Sequence, residues 1–141
     1  MSVLDEVGTY IVDNVSGMTF ALGLGTTVFI GRRTPDSPGA CVGLVEYSGR
    51  KPEYSHSSEG LMWERPRVQV FVRDANQAGA YQNVIAYAYT LYNKLATVAN
   101  QALSGTLYLR IEPQQSPFEM GPDAKDRPVY GFNIECWRRK T

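Results

Sequence analysis

At 141 residues, 43% apolar and 20% charged, the chain has the size and composition of one ordinary folded domain, which excludes wholesale disorder. Its 14 basic residues balance its 14 acidic ones, so the chain as a whole is not built for attraction to nucleic acid or to an anionic membrane. No window reaches the roughly 18 apolar residues that a membrane helix needs. The acidic start, with Asp5, Glu6 and Asp13, does not read as a secretory signal, and the expectation is a protein that stays in a cytoplasm.

In chain order, Ser2 is placed to cap a helix whose apolar positions Val3, Leu4, Val7, Tyr10, Ile11 and Val15 recur at three- and four-residue steps, with Asp5 and Glu6 in its first turn and Gly17 as its stop. "TTVFIG" reads as a short strand, "RRTPDSPG" as a turn and "ACVGLVEYS" as a second strand. From Gly49 to Pro66 the segment is polar and rich in proline and glycine, which predicts a long loop. "RVQVFVRD" alternates, with Val68, Val70 and Val72 inward and Phe71 as an aromatic exception on the outer face.

Asp74, with Gln77 three residues on, predicts the N-cap of a long helix whose stripe is Tyr81, Val84, Ile85, Ala88, Leu91, Tyr92, Leu95 and Val98. "SGTLYLRIEP" predicts a half-buried strand with Leu107, Leu109 and Ile111 inward. A second long loop is expected over about 112–128, followed by a last strand with Tyr130, Phe132, Ile134 and Cys136 on one face and Gly131, Asn133, Glu135 and Trp137 on the other. The expected fold class is a single α+β domain over residues 1–141, with a mainly antiparallel sheet of about five strands and both helices packed on one face.

The chemistry is sparse. "SGRKP" could suggest a phosphate loop, but it has one glycine, and Pro52 removes an amide and disfavours a helix after it. Cys41 and Cys136 each sit in an apolar run and read as reduced, buried hydrophobes. His56 has no zinc-spaced partner, and its neighbours Ser55, Ser57, Ser58 and Glu59 lack a nucleophile elbow. Glu112, Glu119, Asp123 and Asp126 bring carboxylates to one loop, without calcium-loop spacing and with Lys125 and Arg127 interleaved. A metal-dependent enzyme using Glu112, Asp123 and Asp126 is the alternative from that class; the expectation is no catalytic residue, no cofactor and no metal. Arg32, Arg33, Arg50, Lys51, Arg65 and Arg67, with Tyr54 and Trp63, are interleaved with acids and suit a rim between protein subunits as well as a nucleic-acid surface.

The ordered series "TVFIGRRTPDSPGACVGLVEYSGRKP", "RPRVQVFVRDANQAGAYQNVIAYAYTLYNKL" and "LYLRIEPQQSPFEMGPDAKDRPVYGFNIECW" resembles the tail terminator or minor capsid proteins of long-tailed bacteriophages. The residues that carry the first part are Phe29, Ile30, Gly31, Pro35, Asp36, Pro38, Tyr47, Gly49, Arg50 and Pro52. The resemblance implies a structural virion protein that forms a homo-oligomeric, sixfold ring on the last ring of the tail tube. Its expected partners are the tail tube protein and a neck or head-completion protein, with DNA passing through unread and no membrane involved. It would be assembled in the host cytoplasm and end at the head-tail junction of the virion; a neck or head-completion connector is the alternative. The interface residues expected on that basis are Arg50, Lys51, Tyr54, Trp63, Arg65, Glu119, Asp123, Asp126 and Arg127.

Overall fold

The computed structural model describes residues 2–15, 28–31, 40–54, 62–75, 78–123 and 125–139, without the side chains of 48 and 50–54. The expected turn around Pro35 to Pro38, the stop at Gly17, the role of Gln77 and the His56 segment lie outside the described residues. The elements are α1 (Val3–Asn14), β1 (Val28–Ile30), β2 (Cys41–Tyr54), β3 (Met62–Arg73), α2 (Ala80–Leu95), β4 (Ala99–Leu103), β5 (Thr106–Pro113), β6 (Phe118–Glu119) and β7 (Val129–Arg139).

The fold is α+β, and its sheet is mixed: the order is β1-β2-β3-β7-β5-β4, with β6 added to β7. Only the β1–β2 pair is parallel among the described pairings; the others are antiparallel. The sheet has seven strands where about five were expected, because the two extra ones carry no hydrophobic alternation. β4 is "ANQAL", exposed at all but its last residue, and β6 is two residues long. β4 and β5 form a hairpin through Ser104 and Gly105, both at positive φ, as a two-residue primed turn requires.

Ser2 and Asp5 cap α1 reciprocally: the Asp5 amide donates to Ser2 Oγ at 3.2 Å, and the Ser2 amide donates to Asp5 Oδ2 at 3.2 Å. The cap expected for α2 does not form. The helix begins at Ala80, after Gly79 in the left-handed region, without a side-chain cap bond. Asp74 is instead buried before it, accepting from the Ala75 amide and from Asn83 Nδ2. The α2 stripe reaches the core through Ala80, Val84, Ala88, Leu91 and Leu95, while Tyr81 is 43% exposed and Val98 follows the helix end.

Both helices share one apolar core with one face of the sheet, supplied by Val42 and Leu44, by Val68, Val70 and Val72, and by Phe132, Ile134 and Cys136. Each such fully buried aliphatic side chain contributes about 1.5–3 kcal/mol. α1 touches β1 and β2 near one edge of the sheet and β4 at the other, so the sheet curls around it.

Two expectations about β-structure are corrected. Residues 49–54 and 62–66, expected in a loop, lie in β2 and β3. Gly49 and Pro66 are not turn residues there but face one another where the register slips: a Cβ on Gly49 would stand 2.9 Å from the Arg65 carbonyl and 3.1 Å from Pro66 Cα. In β5 the inward residues are Tyr108 and Ile111, and Leu107 is exposed. An irregularity between Tyr108 and Arg110, opposite β7, shifts the phase and overturns the simple alternation. Likewise the second expected loop, 112–128, holds the end of β5 and all of β6.

Candidate functional site

The face of the sheet away from the helices is covered by charge and aromatic rings. Glu135, on β7, is 2% exposed and sits between two arginines of β3. Arg65 donates through Nε and its terminal nitrogen to Glu135 Oε1 at 3.1 and 2.8 Å, and Arg67 Nε donates to Oε2 at 3.1 Å. This follows from the register, because Arg67 pairs directly with Glu135 across the antiparallel ladder. Trp137, two residues on, lies between cations: the Arg65 guanidinium carbon is 4.0 Å from its ring centroid and that of Arg110 is 4.9 Å away. Arg110 also pairs with Glu112 at 3.2 Å, and both are exposed. Burial raises the pKa of the neighbouring Tyr47 hydroxyl; the charge of Arg67 opposes the rise and that of Glu135 adds to it. Asn133 Oδ1 and Trp137 Nε1, on this same face of β7, are buried polar atoms without hydrogen-bond partners.

At the other end of the same face, Phe71 lies in a slot opened by Gly43, whose hypothetical Cβ would stand 2.1 Å from the ring. The outer aromatic that the sequence singled out is therefore 6% exposed, filling the gap that a glycine leaves. Next to it the loop before β7 is tied down by ions. Asp123 Oδ2 accepts from the Arg127 guanidinium at 2.8 Å and from Arg73 at 3.4 Å, and Asp123 Oδ1 accepts the amides of Lys125 and Arg127. Burial disfavours the Asp123 charge, but the hydrogen bonds from Arg127 and the backbone outweigh it and lower its pKa to about 2.

The expected interface residues thus fall into three groups. Arg65, Asp123 and Arg127 are engaged by ion pairs within the chain. Glu119 and Asp126 are exposed; Glu119 raises the pKa of the exposed Tyr81 hydroxyl by its charge, and Asp126 adopts a φ of 58° in the turn closed by its amide on the Asp123 carbonyl. Trp63 is half-buried at the start of β3, opposite Glu53 and Arg139, and the side chains of Arg50, Lys51 and Tyr54 lie outside the described residues. The carboxylates of the proposed metal alternative do not converge. Glu112 pairs with Arg110, Asp123 pairs with arginines, and among the described residues no three His, Cys, Asp or Glu gather to hold a metal. No helix among the described residues is long and apolar enough to cross a membrane.

Residues 8–138 match the family described as bacteriophage tail terminator protein. The chain belongs to the bacteriophage tail terminator family. It is therefore a structural component of a phage tail, and hence of the virion. The matched stretch runs from within α1 to the penultimate residue of β7 and so takes in both faces of the sheet. No curated protein matches the chain.

In this tail terminator, sequence reasoning missed a buried ionic cluster on the helix side. Glu6 of α1 is 1% exposed. Its Oε1 accepts from Tyr108 Oη at 2.7 Å and from Arg138 at 2.5 Å, while Arg138 Nε donates to Glu64 at 3.0 Å. Burial works against the Arg138 charge, but the bond to Glu64 and the other partners outweigh it and raise its pKa. Burial likewise raises the Tyr108 and Cys136 pKa values. The signal for this cluster was Glu6 itself, an acid set among Val3, Val7 and Tyr10 on the apolar stripe and read only as a partner of the helix dipole.

Proposed function

We propose that the protein forms a closed ring, sixfold in its simplest reading, that caps the end of the tail tube, stops its elongation and offers a docking surface to the neck below the head. It acts by assembly, without catalysis or cofactor, in the host cytoplasm. The observation that carries this reading is the family match across residues 8–138. The sheet supports it: among the described residues β1 pairs with only Val42 to Leu44 of β2, and β4 is the terminal strand on the opposite side, so two different edges are there for a head-to-tail, closing interface. Glu119, Asp126, Trp63, Arg50, Lys51 and Tyr54 are the contact residues of choice, with Arg65, Asp123 and Arg127 holding the surfaces that present them. The channel passes DNA without reading it, in keeping with a net charge of zero.

The test is a phage lacking this protein, examined by negative-stain imaging. Tubes longer than those of the parent phage, without heads, are expected. Headless tails of normal length would instead assign the protein to the neck, and normal virions would remove both readings.

A further inference from the structure

Strand alternation sorts the charges of this chain onto opposite sides of one end of the sheet. On the face away from the helices, Arg65, Arg67, Arg110 and Arg139 stand with two carboxylates, Glu112 and Glu135. Arg65 and Arg67 share Glu135, and Arg110 pairs with Glu112. Arg139 continues the phase of Glu135 and Trp137 along β7 and has no ion pair among the described residues. Farther along this face the pattern repeats, since Arg73 and Arg127 share Asp123. In each cluster two guanidiniums divide one carboxylate, which leaves a positive charge in excess.

The helix side of the same end has the opposite balance. Glu64 and Arg138 precede Arg65 and Arg139 by one residue and so point the other way, where Arg138 is shared by Glu6 and Glu64. Glu46 is in phase with Val42 and Leu44, one residue before Tyr47, which faces Arg67 across the ladder. It is exposed and has no ion pair among the described residues. Three carboxylates on this side therefore stand with one arginine, back to back with the arginine-rich face.

We infer that copies of this chain associate front to back, with the arginine face of one copy against the acidic helix side of the next. This rests on the head-to-tail ring proposed above and names the charges that meet across its contact. Both halves of the complementary pair belong to one chain whose formal net charge is zero, so charge does not accumulate as copies are added. A twofold dimer through either side would set arginine on arginine or carboxylate on carboxylate, which disfavours it. At physiological ionic strength the Debye length is about 8 Å, so the charges that count are those that reach the surface, such as the exposed Arg110 on one side and Glu46 on the other.

The experiment is sedimentation of the full-length protein at high concentration, from low salt to about 1 M, where the Debye length falls to about 3 Å. Oligomers at low salt that dissociate as salt rises are expected. Arg139→Glu and Glu46→Lys change residues without ion pairs inside the chain, and unchanged melting temperatures check that each still folds. Each variant alone weakens association about tenfold, because every contact then carries a like-charge pair. An equal mixture of the two associates again, since alternating copies restore opposite charge at every contact. A parent that stays monomeric at low salt, single variants that associate like the parent, or a mixture that is not rescued overturns the inference. A monomer that binds single-stranded DNA, and loses it in Arg139→Glu, overturns it too and assigns the face to nucleic acid. The ring reading is judged apart from this, by tube length in the phage lacking the protein: overlong tubes beside a failed rescue remove only the front-to-back contact.

Discussion

The two faces of the sheet each bury one glutamate between donors, and they do so differently. Glu6 reaches down from α1 and joins the helix layer to β5 and β7 of the sheet beneath it, 102 residues from Tyr108 in the chain. Glu135 lies within the sheet, between side chains of the neighbouring strand, and its ion pairs with Arg65 and Arg67 join β7 to β3, which the backbone ladder already joins. The first ties layers together; the second takes the place of a layer. On the helix side, apolar burial supplies the stability and the ionic cluster sets where α1 sits. On the other side, paired arginines and a stacked tryptophan shield the strands from water while leaving a charged surface.

The sharpest way to break this contrast is Glu6→Ala. It leaves Arg138 and the Tyr108 hydroxyl facing a gap under α1, and a loss of about 3–5 kcal/mol is expected in chemical denaturation. Glu135→Ala leaves Arg65 and Arg67 side by side without their shared acceptor, but both reach more water than Glu6 does, so the expected loss is smaller, about 2–3 kcal/mol. Near-equal losses would mean that the open face is as dry in solution as the helix face. Gly43→Ala is the apolar counterpart on the open side. Its Cβ must push the Phe71 ring aside, and about 1–3 kcal/mol of overpacking cost is expected by thermal melting.

How much of this contrast the sequence revealed follows the physics of each element. The valines of β3 and the Phe132, Ile134 and Cys136 face of β7 were legible, because strict alternation survives in strands paired on both sides. α1 was legible from its cap and stripe. β4 was not, because an exposed outer strand needs no apolar residues, and β5 was read in the wrong phase because a bulge leaves no mark in hydrophobicity. Gly49, Pro52 and Pro66 looked like a loop because the same residues serve turns and irregular strands alike. At the candidate surfaces, Asp123 and Arg127 looked like outward charges, since sequence spacing alone does not show that Arg73 comes from 50 residues away to meet them.

That last ion cluster gives a pH test on the open side. The Asp123 pKa is lowered from its usual 3.8 to about 2, so its contribution is fully present above about pH 4 and is lost as the pH falls through about 2. The parent protein is expected to lose stability across that window, and Asp123→Asn to be less stable at neutral pH but flatter below pH 4. Parallel acid profiles for the two would show that Asp123 does not hold the loop.

The smallest effect expected is at Arg110. It stacks on Trp137 at 4.9 Å and pairs with Glu112 across solvent, and each of those contacts is worth less than about 1 kcal/mol when exposed. Arg110→Ala therefore leaves the melting temperature nearly unchanged. Its mark is optical: removing one of the two cations beside Trp137 alters the indole's surroundings, so the emission of Trp137, measured in a Trp63→Phe background, shifts in wavelength. Arg65→Ala, which also releases Glu135, shifts the emission and lowers stability together. The pair of variants separates two roles of this face, since stacking alone changes its outer surface, whereas the Arg65–Glu135–Arg67 set also keeps the strands beneath it shielded.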